Sequence, residues 1–376
     1  MNFIHYGKQT VENEDIQCVI ETLQSDYITT GPKSKEFEAD IAQYCGAKYC
    51  VVVSSGTAAL HLSSLALLKD GDKVLTTPNS FLATSNSILY ANARPIFVDI
   101  TTYGNIDLDL CEKELQKDPS IKAIYVVAFS GNMVIQEKLE KLRKKYNIII
   151  LEDCAHALGA TYNGIKAGSS QNSDCSIFSF HPVKHITTGE GGAITTNSKE
   201  IYEKLIKLRN HGMVKTKNMK PWEYEIHELG FNYRLTDFQS ALGISQLKKL
   251  PLFIKKRNLI AKYYDEAFKN TIIKPLYPYN PNSTYHLYVV QVNFAKLSIS
   301  KEEFFNKLHD NKISIQLHYI PINKQPYYKQ LGYGEEITPN MDKYYNESFS
   351  IPIYPLLTRE QQKYVIKTLF ELLNEN

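Results

Sequence analysis

One lysine, Lys184, lies where an amine is expected to do chemistry. It follows the short apolar run Ile177–Phe180 and precedes the turn-forming sequence Thr-Thr-Gly-Glu-Gly-Gly. A lysine amine forms a Schiff base with an aldehyde, and burial shifts its pKa readily enough for it to act as a nucleophile or base. The alternative for any single lysine is a solvated loop residue, because charged side chains mostly lie outside.

A carboxylate ends a second apolar run. Asp153 follows Ile148–Leu151, where an unpaired carboxylate would be costly and therefore needs a cationic partner. A protonated pyridine nitrogen would serve, as in enzymes that use pyridoxal phosphate (PLP) as an electron sink. The alternative is that Asp153 caps the next turn. Three residues later, His156 either holds Asp153 in place or is a satisfied core histidine.

A phosphate site is predicted where Ser55, Gly56 and Thr57 link a strand to a helix. Gly56 lets the backbone approach a ligand, the two hydroxyls are donors, and the helix N-terminus supplies free N–H groups and a positive dipole end. Simple N-capping is the alternative. Ser179, shortly before Lys184, is a second candidate phosphate ligand.

An aromatic residue, Phe81, follows another predicted strand and either fills the core or stacks on a flat heteroaromatic ring. Ligands of open parallel sheets bind at the carboxyl ends of the strands. A phosphate cradle, an aromatic ring, a carboxylate and an amine at that edge together describe a PLP pocket. Lys184 and Asp153 would be its catalytic residues.

The elements that must position these residues alternate between strand and helix, which indicates an α/β fold with a mostly parallel seven-stranded central sheet. The predicted strands are Tyr49–Ser54, Lys73–Thr77, Pro95–Ile100, Ala123–Phe129, Ile148–Asp153, Cys175–Phe180 and Ala193–Thr196. Helical patterns cover Asn13–Leu23, Phe37–Tyr44, Ala58–Leu68, Ala83–Tyr90 and Gln136–Tyr146.

A long helix is predicted after the capping box at Thr236, and Pro251 is expected to end or bend it. We therefore divide the chain into a large domain, residues 1–250 with an N-terminal arm at 1–35, and a smaller α/β domain at 251–376. The small domain has strand-like runs at His286–Val292 and Ile313–His318, and helical patterns near 301–309 and 359–373.

Composition narrows the class of protein. The 376 residues carry a net charge of +3, from 43 basic and 40 acidic residues, which gives no electrostatic footprint for nucleic acid or an acidic membrane. No apolar run approaches the roughly 18 residues of a membrane span, and we do not expect the N-terminal segment to act as a secretory signal. Six scattered cysteines without a C-x-x-C pair indicate reduced thiols in a cytoplasm and no metal site.

Four segments, SSGTAAL, LEDCAHALGA, SFHPVKHITTGEGGA and LGFNYRLTDFQSALGISQLKKL, resemble the DegT/DnrJ/EryC1 family of sugar aminotransferases. The resemblance runs nearly end to end and implies the PLP-dependent transferase fold type I. It implies that Lys184 carries the cofactor and that Asp153 pairs with its pyridine nitrogen. Phe81 would stack on the ring, and Gly56, Thr57 and Ser179 would hold the phosphate.

The resemblance also implies a homodimer with shared active sites, because Asn232 would reach the cofactor phosphate of the neighbouring subunit. Further residues match the family's nucleotide-sugar contacts: Tyr6, Asp26, Tyr27, Ile28, Thr29, Gln316, Leu317, His318 and Tyr319. Arg234 is a candidate for binding the carboxylate of the amino donor, since a guanidinium can bind it bidentately.

Within the family, the Phe-His-Pro-Val-Lys form of the lysine motif is most similar to the pseudaminic acid branch. That branch aminates a UDP-linked 4-keto-6-deoxy-L-sugar with glutamate as donor. One departure is Ala128, which stands where the family usually has Asp or His. Other 4-amino sugars remain open, including a bacillosamine precursor and dTDP- or GDP-linked sugars. A PLP-dependent dehydratase, in which histidine replaces the lysine, and a non-catalytic nucleotide-sugar sensor are further alternatives.

Overall fold

A seven-stranded sheet lies at the centre of the computed structural model, which describes residues 3–373. Residues 1–2 of the predicted arm and 374–376 of the predicted small domain lie outside it. The strands, in chain order, are β1 (Tyr49–Val53), β2 (Lys73–Thr76), β3 (Arg94–Phe97), β4 (Ile121–Val127), β5 (Ile149–Asp153), β6 (Thr161–Tyr162), β7 (Ile165–Lys166), β8 (Cys175–Ser179), β9 (Gly192–Thr196), β10 (Met213–Val214), β11 (Glu225–Ile226), β12 (Lys274–Pro275), β13 (Tyr288–Gln291) and β14 (Ser348–Ile351).

All seven strands predicted for the sheet are present, in the order β1-β9-β8-β5-β4-β2-β3. Neighbours pair in parallel except at β9, which is antiparallel to both β1 and β8. Six strands therefore point the same way, and their carboxyl ends share one edge. The prediction of a mostly parallel sheet is confirmed.

Helices cover both faces of this sheet. They are α1 (Asn13–Leu23), α2 (Pro32–Cys45), α3 (Gly56–Leu67), α4 (Leu82–Tyr90), α5 (Leu108–Lys117), α6 (Gln136–Tyr146), α7 (Lys199–Arg209), α8 (Asp237–Ala267), α9 (Lys301–Asp310), α10 (Pro326–Gln330), α11 (Pro339–Glu347) and α12 (Arg359–Leu372). Along β1, Val51 and Val53 pack into the cluster that contains α3, whereas Val52 packs into the cluster that contains α2. This alternation explains why the strands are apolar throughout.

The long helix α8 begins as predicted, with Thr236 and Gln239 forming a capping box. Of the two effects expected of Pro251, an end to the helix is wrong, because α8 continues to Ala267, whereas a bend remains a prediction. A proline inside a helix costs about 3 kcal/mol, but buried residues on both sides of it, such as Leu250 and Phe253, tie α8 into the core. The domain boundary at residue 250 remains a prediction.

The C-terminal part carries a small antiparallel sheet in the order β12-β13-β14. The predicted strand at His286–Val292 is present as β13, but Ile313–His318 is not a strand. Its backbone pairs with two different partners, Ile313 with Ile4 and Gln316 with Ser350, and neither pairing extends into a ladder. The segment instead carries Gln316 and the residues after it towards the carboxyl edge of the large sheet.

Two further observations bear on the predicted environment. Among residues 3–373, no helix combines the length and the apolar composition that a membrane crossing requires. All six cysteines are free thiols.

Candidate active site

A cavity of about 550 Å³ opens at the carboxyl edge of the central sheet. It collects thirteen of the residues that the sequence singles out. They are Tyr6, Ser55, Gly56, Thr57, Phe81, Asp153, His156, Ser179, Lys184, Gln316, Leu317, His318 and Tyr319. The residues at the ends of β1, β2, β5 and β8 meet there because these strands end on the same side of the sheet. Tyr6 and residues 316–319 reach the cavity from outside the sheet.

Lys184 lies on a loop that folds back onto the end of β8. The carbonyl oxygen of Phe180 accepts hydrogen bonds from the backbone N–H of Thr188, at 3.1 Å, and the hydroxyl of Thr187, at 3.0 Å. Lys184 is partly buried and lines the cavity. Burial lowers the pKa of its amine to about 8, although the charge of Asp153 opposes the shift. An appreciable fraction of the amine is therefore neutral near pH 8.

Asp153 lies at the floor of the cavity, 5% exposed, at the last position of β5. Its Oδ2 atom accepts a 2.7 Å hydrogen bond from the hydroxyl of Thr84, and its Oδ1 accepts one of 3.0 Å from the Ala155 backbone. Burial raises the pKa of the carboxyl group, while these bonds and the charge of Lys184 oppose the rise. Asp153 therefore caps the following turn, as the alternative held, and also faces the cavity.

The predicted phosphate cradle is tightly built. Ser55 caps α3 by accepting a hydrogen bond of 3.0 Å from the Ala58 N–H, so the capping alternative holds for this side chain. A methyl group on Gly56 would lie 2.8 Å from Cβ of Ser179. The first N–H groups of α3 have no partner within the helix, so this edge of the cavity offers donors to an anion.

The cavity also holds aromatic and imidazole groups. The Phe81 ring is 57% exposed, which leaves its surface open to a flat ligand. His318 is buried, and burial lowers the pKa of its imidazole to about 3, so the ring is neutral. His156 is also buried, with its Nε2 atom 3.2 Å from the hydroxyl of Tyr319.

Six predicted site residues do not line this cavity. They are Asp26, Tyr27, Ile28, Thr29, Asn232 and Arg234. Asp26 and Tyr27 line a surface cleft beside α1. Arg234 lines a third cavity and donates a hydrogen bond of 2.6 Å to Asn210 Oδ1. Within one chain, Arg234 therefore does not face Lys184.

Sequence reasoning missed several residues that the structure brings to the site. Thr84 bonds Asp153, and the backbone of Ser130 approaches the ring of His156. His286 lines the cavity, with its ring 4.2 Å from that of His156.

These groups fit PLP. Asp153 is buried with two neutral donors, and no cation bonds it directly among residues 3–373. A protonated pyridine nitrogen would complete its surroundings. A Cβ at position 56 would lie 2.8 Å from Cβ of Ser179, so glycine there lets the start of α3 and Ser179 approach each other at the cavity edge.

The family model for DegT/DnrJ/EryC1/StrS aminotransferases matches residues 9–370. The chain belongs to this family. It is a PLP-dependent sugar aminotransferase, as the pocket chemistry leads one to expect. Solved relatives share the fold over the whole chain: PseC of Helicobacter pylori, an aminotransferase of pseudoaminic acid biosynthesis, superposes with a TM-score of 0.94 at 34% identity and 100% coverage of both chains.

Other members are similar along their full length. A Campylobacter jejuni UDP-4-amino-4,6-dideoxy-N-acetyl-beta-L-altrosamine transaminase is 42% identical over 377 residues, covering 99% of this chain and 98% of its own. An uncharacterized protein of Methanocaldococcus jannaschii, MJ1066, is 38% identical over 386 residues, covering 100% and 99%. A sugar aminotransferase of Streptococcus pneumoniae, solved in its PMP form, has a TM-score of 0.91 at 29% identity, covering 99% of each chain.

Proposed function

We propose that this family member transfers the amino group of glutamate to C4 of a UDP-linked 4-keto-6-deoxy-N-acetyl-hexose, in the pseudaminic acid pathway. The observation that carries the substrate is the 42% identity, over nearly the whole of both chains, to an altrosamine transaminase. The cavity supports it, because it combines an amine, a carboxylate and a phosphate cradle with a wall formed by Tyr6 and residues 316–319.

Each residue has a proposed task. Lys184 would hold PLP covalently and, once released, move the proton at the carbon that gains or loses nitrogen; its lowered pKa suits an acid–base group. When bound, PLP supplies the electron sink that stabilises charge at that carbon. Asp153 would keep the pyridine nitrogen protonated, Phe81 would stack on the ring, and Gly56, Thr57 and Ser179 would bind the phosphate.

We propose a homodimer with shared sites, because six predicted site residues lie outside the cavity of their own chain. The N–H of Asp237 donates to the carbonyl of Ile28 at 3.0 Å, and the Asp237 carboxylate accepts the N–H groups of Gly31 and Lys33. The segment from Asp26 to Thr29 is thus fastened beside the segment that carries Asn232 and Arg234. Both segments would enter the cavity of the second copy.

Helix α1 supports the same proposal. Its stripe of Ile16, Ile20 and Leu23 is 50%, 40% and 53% exposed, whereas Asp15 is buried. Asp15 accepts hydrogen bonds from Ser245 and other α8 side chains, so this residue fastens α1 to α8 while the apolar stripe faces outward. A second copy of the chain would cover the apolar side.

The free thiols, five of them buried, support a reducing cytoplasm as the compartment.

A different 4-amino sugar is the second candidate. A Bacillus subtilis relative named for spore coat polysaccharide biosynthesis, SpsC, is 35% identical over 382 residues. The Helicobacter pylori altrosamine transaminase has a similar identity to this chain, 37%. The Campylobacter jejuni altrosamine transaminase is more similar, at 42% identity, and this margin makes the altrosamine branch the first candidate.

The deciding experiment offers glutamate with a panel of UDP-, dTDP- and GDP-linked 4-keto-6-deoxy sugars of both configurations. Products are identified by mass and NMR. We expect amination at C4 of the UDP-linked L-sugar at the highest kcat/KM. Preference for a D-configured, dTDP-linked or GDP-linked substrate would reject the pseudaminic assignment and leave the aminotransferase activity intact.

A further inference from the structure

The hydroxyl of Tyr319 and the ring of His156 form a pair at the cavity wall, with Tyr319 Oη 3.2 Å from His156 Nε2. Either group is able to donate in such a pair. If the imidazole donates, the phenol keeps its own proton for a ligand; if the phenol donates, that proton is already used. The protonation of the other ring nitrogen decides which arrangement holds.

The backbone of Ser130 settles the state of that other nitrogen. Its N–H points at His156 Nδ1 at 3.4 Å, and an N–H can only donate, so Nδ1 carries a lone pair. The position of Ser130 is fixed by its own hydroxyl, which donates a 2.8 Å hydrogen bond to the carbonyl of Leu287. Its backbone has a φ angle of 61°. The donor is therefore a fixed part of the backbone and not a mobile side chain.

The imidazole itself is neutral. His156 is 4% exposed, and burial depresses its pKa far below the usual range, with the charge of Lys184 lowering it further. With one proton on the ring and none on Nδ1, that proton is on Nε2. The Nε2–H group thus donates to the oxygen of Tyr319.

We propose that Tyr319 donates its hydroxyl proton in a hydrogen bond to an oxygen of the bound ligand, and that Ser130 and His156 are positioning residues that fix this direction. Tyr319 lines the cavity, and within residues 3–373 its hydroxyl has no partner other than His156. Burial raises the pKa of the phenol, so the proton stays on its oxygen at neutral pH. The ligand oxygen belongs either to the cofactor or to a substrate.

A purely structural role for His156 is the competing explanation. The ring of His156 packs against His286, and the carbonyl of His156 accepts a 3.0 Å hydrogen bond from the Thr284 hydroxyl. Two substitutions separate the explanations, because the amide nitrogen of Gln takes the place of Nε2 whereas the amide of Asn reaches only the place of Nδ1. His156→Gln keeps a donor for Tyr319, and His156→Asn does not.

The kinetic test compares Tyr319→Phe, His156→Gln and His156→Asn with the wild-type holoenzyme. Losing a hydrogen bond to the ligand corresponds to a fall of about 5-fold for a neutral oxygen and up to about 100-fold for a charged one. We expect that fall for Tyr319→Phe and His156→Asn, and a smaller one for His156→Gln. Equal losses for the two histidine variants, or an unchanged Tyr319→Phe enzyme, would overturn the proposal.

Three separate arms identify the ligand oxygen. A loss in PLP affinity, measured by titrating the apoenzyme, assigns it to the cofactor. A loss confined to the glutamate half-reaction or to the keto-sugar half-reaction assigns it to that substrate. Only the sugar arm rests on the proposed substrate, so failure of the sugar assignment leaves the cofactor and glutamate arms valid.

A second readout observes the wild-type protein itself and uses a variant only to assign one set of signals. With ¹⁵N-labelled histidine, long-range proton–nitrogen spectra distinguish a protonated ring nitrogen from one with a lone pair. His156, assigned by the loss of its signals in His156→Gln, is expected to show a protonated Nε2 and an unprotonated Nδ1 in the apoenzyme. The opposite tautomer, or a doubly protonated ring at pH 7, would overturn the proposal.

Discussion

The hydroxyl of Thr84, in the first turn of α4, donates a hydrogen bond of 2.7 Å to Oδ2 of Asp153, at the end of β5. Helix α4 follows β2, which is separated from β5 in the sheet by β4. The bond therefore fixes one face of the carboxylate from a distant part of the chain. It leaves the carboxylate oriented for a cation that enters from the cavity.

Thr84→Val tests this relationship, because it keeps the shape of the side chain and removes the donor. A hydrogen bond to a charged group contributes about 1.5 to 3 kcal/mol, so we expect PLP affinity to fall about 10- to 100-fold. Fluorescence titration of the apoenzyme with PLP measures the change. Thr84→Ser, which restores the hydroxyl, serves as the control and should bind nearly as tightly as the wild type. Equal affinity of the Val and Ser variants would show that the bond does not orient Asp153 for the cofactor.

The lowered pKa of Lys184 predicts how cofactor capture depends on pH. Only the neutral amine attacks an aldehyde, so the capture rate should rise with pH and level off above about 8, the pKa that burial gives this amine. A solvated lysine would level off only above about 10.4. Stopped-flow absorbance after mixing apoenzyme with PLP across pH 6 to about 10.5 follows the rate. A rate that keeps rising tenfold per pH unit to the upper limit would contradict a lowered pKa.

Gly56 predicts a selective loss of phosphate binding. Gly56→Ala would place a methyl group 2.8 Å from Cβ of Ser179, which narrows the cradle without requiring an unusual backbone angle. We expect weaker binding of PLP but nearly unchanged binding of pyridoxal, which has no phosphate. The ratio of the two dissociation constants, measured by titration, isolates the cradle. An equal loss for both ligands would mean that the substitution disturbs the pocket as a whole.

Shared active sites predict complementation between two inactive variants. Lys184→Ala lacks the amine, and Asn232→Ala lacks the side chain proposed to enter the second copy. A mixed dimer would contain one site with both groups intact. After unfolding and refolding an equal mixture, we expect about a quarter of the wild-type activity, because half of the dimers are mixed and each has one working site.

The control for complementation is each variant refolded alone, which should stay nearly inactive. If Asn232→Ala alone keeps full activity, Asn232 does not act in the neighbouring site. If both variants are inactive alone and their refolded, mixed dimers remain inactive, then Lys184 and Asn232 serve a site within one chain.

Much of the pocket was predictable because its residues sit at the ends of apolar runs. Asp153 and Ser179 are the last residues of their strands and Lys184 follows soon after, and parallel strands bring their carboxyl ends to one edge. Thr84 and Ser130 carry no such mark. Thr84 stands among small polar residues of α4, and Ser130 acts through its backbone, so only the folded chain reveals their contacts.

Two errors have the same physical origin. Pro251 disfavours a helix locally. Helix α8 nevertheless passes through it because α8 packs against α1, α2 and α12. Ile313–His318 alternates like a strand, but Ile4 and Ser350 each satisfy only one position of it. In both segments, tertiary packing overrides a local preference.

The attachment of the cofactor to the amine of Lys184 can be tested directly. Reducing the PLP-loaded enzyme with borohydride fixes the Schiff base, and peptide mass mapping then locates the phosphopyridoxyl group. We predict a single modification, on Lys184, in the peptide that contains His181 and His185. A label on any other lysine, or a loaded enzyme that loses all of its PLP on denaturation after reduction, would contradict this attachment.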